Sequence, residues 1–469
     1  MKMKKKTGYI LYIVIVLGLC LVPFAGMLFR PTTQTTENKK MTEWPVFFQE
    51  SGINIHFFEE AGNYFSDHFA FRQELVEADA QIRSNVFEVS AVDSVIVGKN
   101  DWIYYEATLD DYQHKNGVSE RMLFNIAHNL SLMQQYTETL GKTFLFTIAP
   151  NKNSLYDENM PERYRYQIAE NSDAERLKPW LEREQVNYLD LFDLFEQQEE
   201  VLYYARDSHW NQKGAVLVYQ AMMEACGLDY EDYEALGYDV VKDYFGDLNL
   251  MLYPLGAKPE EDARYRKEFN WSYVQGADVT DQYIQTTCAE GKQNLLMYRD
   301  SFGNSMIPYM AQTFSQAAFS QIVPYPMTDL ITAAPDVVIL EKVERHLQTL
   351  GKVPPLMSAP IRILQQEMSV SEGNTTLALT KEGSYWKFSG IADAQLETDS
   401  RIYLYVNDGT NAGTYEAFCV EASENGVVSD YGYQMYLSEI MLNGSAFDVS
   451  VIAETKDGFL IIYEGTVGQ

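Results

Sequence analysis

Two short stretches carry residue types suited to nucleophilic chemistry: ARDSHWNQKGA at Ala205–Ala215 and YRDSF at Tyr298–Phe302. Ser301 follows the apolar run Leu295–Met297 and precedes the helical pattern GNSMIPYMAQTF, so its hydroxyl stands at a strand-to-helix corner. His209 has Asp207 two residues before it and Trp210 and Asn211 directly after it. Acyl transfer through serine needs an exposed hydroxyl, an imidazole to take its proton and a carboxylate to hold the imidazole. Ser301, His209 and Asp207 supply these in that order. The Ser301 N–H, at a helix N-terminus, would favour a developing oxyanion, and Asn151 or the backbone beside it in APNKN is a candidate second donor. A purely structural explanation competes: Ser301 caps its helix, and Asp207, Ser208 and Asn211 cap the helix that begins near Gln212. Positions two apart diverge on a helix, so Asp207 and His209 cooperate only if this stretch is a loop. Asp300 either caps or orients the corner, and Arg299 either binds substrate or pairs with a neighbour.

The other five histidines lack such neighbours. His56, His114, His128 and His346 read as surface or packing residues, and His68 in SDHFAFR reads as structural. Cys226, Cys288 and Cys419 are too few for a disulfide framework and lack metal-ligand spacing, so they are expected as small buried side chains. A net charge of −31 excludes nucleic acid as a partner, because phosphate neutralisation needs Lys and Arg. With 469 residues and 46% hydrophobic content, the chain is long enough for two or three packed domains.

The elements that must position these residues follow from pattern. MKMKKK precedes Gly8–Phe29, a run without a charged residue that is long enough to cross a bilayer. The lysines place residues 1–7 in the cytoplasm and the remainder outside. An uncleaved anchor over 8–29 fits better than a signal peptide, since no clean small-x-small site ends the run, and Leu19 before Cys20 does not fit a lipoprotein signal. Residues 30–45 read as a linker, with RPTTQTTENKK as its polar tether. Leu75, Ala78, Ile82 and Val86 form one helical stripe, and Ser94–Glu106 reads as a hairpin around Gly98–Asp101. Ser119–Gly141 is a helix with an N-cap serine and a terminating glycine, leading into the buried strand Lys142–Pro150. A helix near Ala174–Glu184, a strand at Val186–Leu191, a helix at Gln212–Gly227, and strands at Gln293–Tyr298, Ala317–Val323 and Pro335–Val343 follow. This alternation predicts an α/β domain over 46–365 with a mostly parallel sheet, whose functional groups gather at the carboxyl ends of strands. From 370 to 469 short alternating strands predict an all-β, sandwich-like module. Its Tyr385, Trp386, Tyr403, Tyr405, Tyr431 and Tyr433 either stack on sugars or fill its core.

RDSHWN followed by YRDSFGNSM resembles the SGNH-hydrolase-like O-acetyltransferases of polysaccharide acetylation, the periplasmic alginate type and its exported Gram-positive relatives. DHFAFR at Asp67–Arg72, VIVGKNDWIYY, APNKNSLY and Met160–Pro161 are similar to that family's accessory blocks, so the resemblance spans roughly residues 50–350. It implies a three-layer SGNH-like fold and a triad of Ser301 as nucleophile, His209 as base and Asp207 as orienting carboxylate. The Asp/His pair precedes the serine, as in the alginate branch, and the usual Gly and Asn oxyanion blocks are not recognisable. Asn151, Arg299, Trp210 and Tyr156 are the flanking candidates for oxyanion or substrate contact. The implied activity is acetyl transfer to a cell-surface or secreted polysaccharide, with a membrane-bound O-acyltransferase as acetyl-supplying partner and no metal or organic cofactor. A glycan O-acetyl esterase using the same triad and a non-catalytic glycan-binding scaffold are the competing functions.

Overall fold

The computed structural model describes residues 2–468 except 28, 31–40, 50–51, 116, 366–367, 372, 393–395 and 425. The expected tether lies almost wholly outside the described residues. Its flank is helix α1 (Lys2–Gly26), of which Lys6–Gly26 is long and apolar enough to cross a membrane by length and composition. It stops short of the expected Phe29. Helices α2 (Phe57–His68) and α3 (Arg72–Phe87) follow, then the hairpin β1 (Val95–Val97) and β2 (Ile103–Tyr105).

The α3 helix forms where the apolar stripe predicts it, yet Leu75, Ala78, Ile82 and Val86 are exposed, and Ala80 and Ser84 face inward. Small residues let the 253–256 segment approach closely. Tyr253 donates its hydroxyl to Ser84 Oγ at 2.7 Å, and Glu77 accepts the Leu255 and Gly256 amides.

Ser119 caps α4 (Glu120–Thr139) by accepting the Met122 amide, and Gly141 adopts φ +72° beyond its end. The chain enters β3 (Thr143–Ala149), then α5 (Asp173–Arg183), β4 (Tyr188–Leu189) and α6 (Gln212–Ala225). An excursion contains β5 (Tyr238–Tyr244), α7 (Asp247–Leu252) and β6 (Glu260–Tyr265). The chain returns through β7 (Ser272–Gln275), β8 (Tyr283–Thr287), β9 (Lys292–Tyr298), α8 (Ile307–Thr313), β10 (Phe314–Ser320) and β11 (Val337–Val343). The strand expected at 317–323 begins and ends three residues earlier.

One seven-stranded sheet has the order β4-β3-β11-β9-β10-β8-β7. Its first five strands are parallel, and β8 and β7 extend it antiparallel. Burial on both faces explains the near-continuous apolar runs. Leu145, Leu295, Met297 and Ile339 pack on one side with α6 and α8. Phe144, Phe146, Leu296 and Leu340 pack on the other with α4 and α5. The α/β/α layering is the three-layer arrangement expected for this domain, and it brings the carboxyl ends of β3, β9 and β11 together.

The C-terminal module starts earlier than residue 370, because Ile361–Arg362 already pairs with Ala412–Glu416. Sheets of six and four strands enclose a shared core that includes Phe388, Leu404, Met435 and Val451. Most of the candidate sugar-stacking aromatics belong to packing: Trp386, Tyr403 and Tyr433 are buried, Tyr385 and Tyr431 are half-buried, and Tyr405 alone of the six is exposed. The module is welded to α4. Asn129 donates to the Leu350 and Cys419 carbonyls and accepts the Cys419 amide, while Arg121 donates to the Thr398 and Ser400 carbonyls. His128, which shows no partner in sequence, lies buried between Glu184 at 3.3 Å and Glu416 at 3.5 Å. Cys226, Cys288 and Cys419 are free thiols.

Candidate active site

At the end of β9 the chain turns through Arg299, Asp300 and Ser301 into a short 3-10 turn, Phe302–Met306. Asp300, rather than Ser301, does the capping. Its Oδ1 accepts the Phe302 amide at 3.0 Å and its Oδ2 the Val343 amide at 2.7 Å, tying the corner to β11. Glu341 accepts the Asp300 amide at 3.0 Å. Burial and the nearby Asp300 charge push its carboxyl well above the usual range. The Ser301 side chain makes no cap bond.

The 203–210 stretch is a closed loop. Tyr203 and Trp210 form an isolated antiparallel bridge at its neck, and Asn211 then caps α6 by accepting the Gly214 amide. Inside the loop Asp207 Oδ1 accepts both the His209 amide at 2.8 Å and His209 Nδ1–H at 2.7 Å. This local turn lets residues two apart face each other. The other ring nitrogen, Nε2, lies 2.9 Å from Ser301 Oγ. The Phe302 ring flanks the imidazole at 4.7 Å between centroids.

Asp207 Oδ2 accepts the Tyr244 hydroxyl at 2.8 Å and the Asp247 amide at 2.7 Å. Gly246 permits this approach, because a Cβ there would run into the Arg206 carbonyl. A carboxylate has about four acceptor positions, and Asp207 uses all of them on protein donors. Asp207, His209 and Asp247 bring their ligand-type atoms within 4.8 Å of one another. The saturation of Asp207 suits the orientation of an imidazole better than the binding of a cation.

Burial favours neutral Asp207, but the bond and charge of His209, with the Asp247 amide and the Tyr244 hydroxyl, hold its pKa far below the ordinary value. Burial likewise favours neutral His209, and the Asp207 bond and charge, helped by Asp247, outweigh it and raise its pKa. A base acts when neutral, so the acid limb of kcat/KM is expected above the ordinary histidine value of about 6.5. The Asp247 carboxylate, 3.8 Å from His209 Nδ1, contributes to that rise. Asp247→Asn is therefore expected to move the limb to lower pH in a pH–rate profile; a limb that stays in place or moves up contradicts this reading.

Lys152 holds the loop from behind. Its buried Nζ donates to the carbonyls of Ile103, Tyr204 (3.2 Å), Ala205 (3.1 Å) and Asp207 (2.5 Å). Burial pushes its ammonium down to about 8, against the charges of Asp207, Asp247 and Glu260. Lys152→Met removes this donor from the Ile103, Tyr204 and Asp207 carbonyls, while Ala205 keeps the Ile103 amide, and is expected to cost about 3–5 kcal/mol in urea unfolding. An unchanged urea midpoint would contradict this role.

Ser301 and His209 open into a cavity of about 1100 Å³ that is also lined by Ser208, Asp247, Tyr105 and Arg345. The other expected site residues stand around it rather than in it. Asn151 is fully buried; its amide goes to Glu344 and its side chain lies between Asp111 and Arg345. Arg299 is buried and donates to the carbonyls of Asp300, Val279 and Asp281 and to Asn304. Trp210 donates to Ser305 Oγ at 2.7 Å and packs edge-on against Phe302, bracing the turn after Ser301. The Tyr156 hydroxyl accepts the Leu202 amide, and its ring meets Trp102 and Tyr203. Sequence reasoning missed Tyr244, Asp247, Lys152 and Arg345; only Lys152, inside APNKN, lies in a stretch already under suspicion.

Residues 95–269 match the family model described as SGNH hydrolase-like domain, acetyltransferase AlgX. The match includes Asp207 and His209 and ends before Ser301. It bears out the resemblance carried by RDSHWN and the accessory blocks in that span. No curated protein matches the chain. Similar solved structures include PatB1 of Bacillus cereus, 16% identical with a TM-score of 0.44, covering 54% of this chain and 96% of that one. The O-acetyltransferase domain of Pseudomonas putida AlgJ is 18% identical with a TM-score of 0.38, covering 54% and 92%. Pseudomonas aeruginosa AlgX is 11% identical with a TM-score of 0.33, covering 73% and 86%.

Proposed function

We propose, from the SGNH hydrolase-like acetyltransferase match as premise, that this chain is an exported, membrane-anchored O-acyltransferase that passes an acetyl group through Ser301 to a polysaccharide hydroxyl. The observation that carries the reading is the relay itself, with His209 Nε2 at 2.9 Å from Ser301 Oγ and His209 Nδ1 at 2.7 Å from Asp207 Oδ1. Ser301 Oγ attacks the donor carbonyl while His209 takes its proton. The bond from carbonyl carbon to donor oxygen breaks, and His209 returns the proton to the leaving oxygen. In the second half His209 deprotonates a sugar hydroxyl, whose oxygen bonds to the acetyl carbon as the bond to Ser301 Oγ breaks, and His209 returns the proton to Oγ. Asp207 keeps the imidazole in the tautomer that presents a bare Nε2 to the serine.

The oxyanion role given to Asn151 passes to the Ser301 amide and the Arg345 guanidinium. Arg345 lines the same cavity and lies over the Phe302 ring at 5.8 Å. Helix α1 would hold the catalytic domain at the outer face of the membrane, where a membrane-bound O-acyltransferase could deliver acetyl groups. A glycan esterase would use the same residues with water as acceptor. Incubating the protein with an activated acetyl ester, with and without an oligosaccharide, separates the two. Acetyl-oligosaccharide is the expected product, and free acetate alone would contradict transfer.

A further inference from the structure

Wall composition sets what a cavity can hold, and the lining beside Ser301 has a polar end and a largely apolar flank. Ser208, His209, Asp247, Ser301 and Arg345 bring the polar groups around the serine. Leu75 and Val76 of α3, Ala91 and Val92 of the following loop, and Leu250, Met251 and Leu252 of α7 bring hydrocarbon, and the one carboxylate among them, Asp79 of α3, is paired with Arg83 at 2.8 Å. At about 1100 Å³ the cavity exceeds the roughly 300–1,000 Å³ of most small-molecule sites. An acetyl group adds one carbonyl and one methyl, and the carbonyl belongs at the polar end. A sugar hydroxyl turned toward these apolar side chains would lose water without gaining a partner. The wall is also built to stay apolar: Val92 and Met251 are half-buried edges of a satellite core that includes Val95, Ile103, Leu248 and Leu252.

We infer that the site accepts acyl groups longer than acetyl, a saturated chain of about four to six carbons lying along this wall with its carbonyl at Ser301. The inference rests on the proposed Ser301 chemistry and widens its acyl group from acetyl, which the same site still takes, to longer chains. The step is the same for any chain length. The Ser301 Oγ–acyl carbon bond forms, the bond to the leaving oxygen breaks, and the serine proton passes through His209 to that oxygen. Each methylene buried on the wall contributes about fourfold to kcat/KM through KM.

The test uses the full chain in lipid nanodiscs with p-nitrophenyl acetate, butanoate and hexanoate, each corrected for uncatalysed hydrolysis, and Ser301→Ala as blank. The expected ratio of kcat/KM for hexanoate over acetate is on the order of 100, carried by KM. Leu75→Asp, on the exposed half of the wall, is expected to lower that ratio at least tenfold, and Leu75→Met to preserve it. A ratio at or below one, or a ratio indifferent to Leu75→Asp, overturns the inference while leaving Ser301 as the nucleophile. Failure of every ester to acylate the chain overturns the Ser301 reading and this inference with it.

Discussion

Ser301→Ala is expected to lower turnover of an activated acetyl ester by on the order of 10⁴-fold or more while leaving the melting temperature unchanged. The two halves of this expectation come from different atoms. Oγ faces His209 Nε2 at 2.9 Å, so its removal deletes the atom that forms the covalent bond. The corner itself is held by Asp300, whose carboxylate accepts the Phe302 and Val343 amides, and by Glu341, which accepts the Asp300 amide. None of these bonds uses the serine hydroxyl. Loss of activity with loss of stability would mean that Ser301 is a structural cap. Activity within tenfold of the parent would place the nucleophile elsewhere.

Asp207→Asn is expected to fail in both respects. Turnover should drop by on the order of 10³- to 10⁴-fold, because an amide in this position no longer fixes the imidazole tautomer or stabilises the imidazolium. Stability should drop as well. The carboxylate accepts the His209 amide, His209 Nδ1–H, the Tyr244 hydroxyl and the Asp247 amide. An amide NH₂ cannot accept, so whichever way it turns at least one buried donor loses its partner, at a cost of about 1–3 kcal/mol per group. Parallel measurement of turnover and urea unfolding distinguishes this profile from that of Ser301→Ala. An Asp207→Asn enzyme within tenfold of the parent would remove Asp207 from the mechanism.

The relay was legible in the sequence because each member sits in a local signal. YRDSF marks a strand-to-helix corner, and RDSHWN marks a loop before an N-capped helix, so residue types and neighbours sufficed. The long-range partners were not legible. Tyr244 and Asp247 reach Asp207 only because Gly246 lets the turn after β5 pass against Arg206, a contact between segments about 40 residues apart that no local pattern encodes. Arg345 arrives from the end of β11, which becomes a neighbour of β3 and β9 only through the sheet order. Asn151 misled for the converse reason. Its place after β3 was right for a site residue, but its amide and side chain are used by Glu344, Asp111 and Arg345. The α3 stripe shows the same limit. Leu75, Ala78, Ile82 and Val86 gave the helix, yet periodicity does not say which face is covered. The inward face is small and polar where the 253–256 segment crosses it, and of the apolar stripe only Leu75 lines the cavity, while Ile82 and Val86 stay exposed.

The central claim, that Ser301 carries the acyl group, is tested most directly by peptide mapping. Brief reaction with p-nitrophenyl acetate, acid quench and mass analysis of the digested chain is expected to find a single acetyl group on the peptide containing Ser301. It should be absent from Ser301→Ala and formed far more slowly in Asp207→Asn. An acetyl group on another residue, or an unmodified Ser301 peptide in a chain that still turns the ester over, would contradict the account.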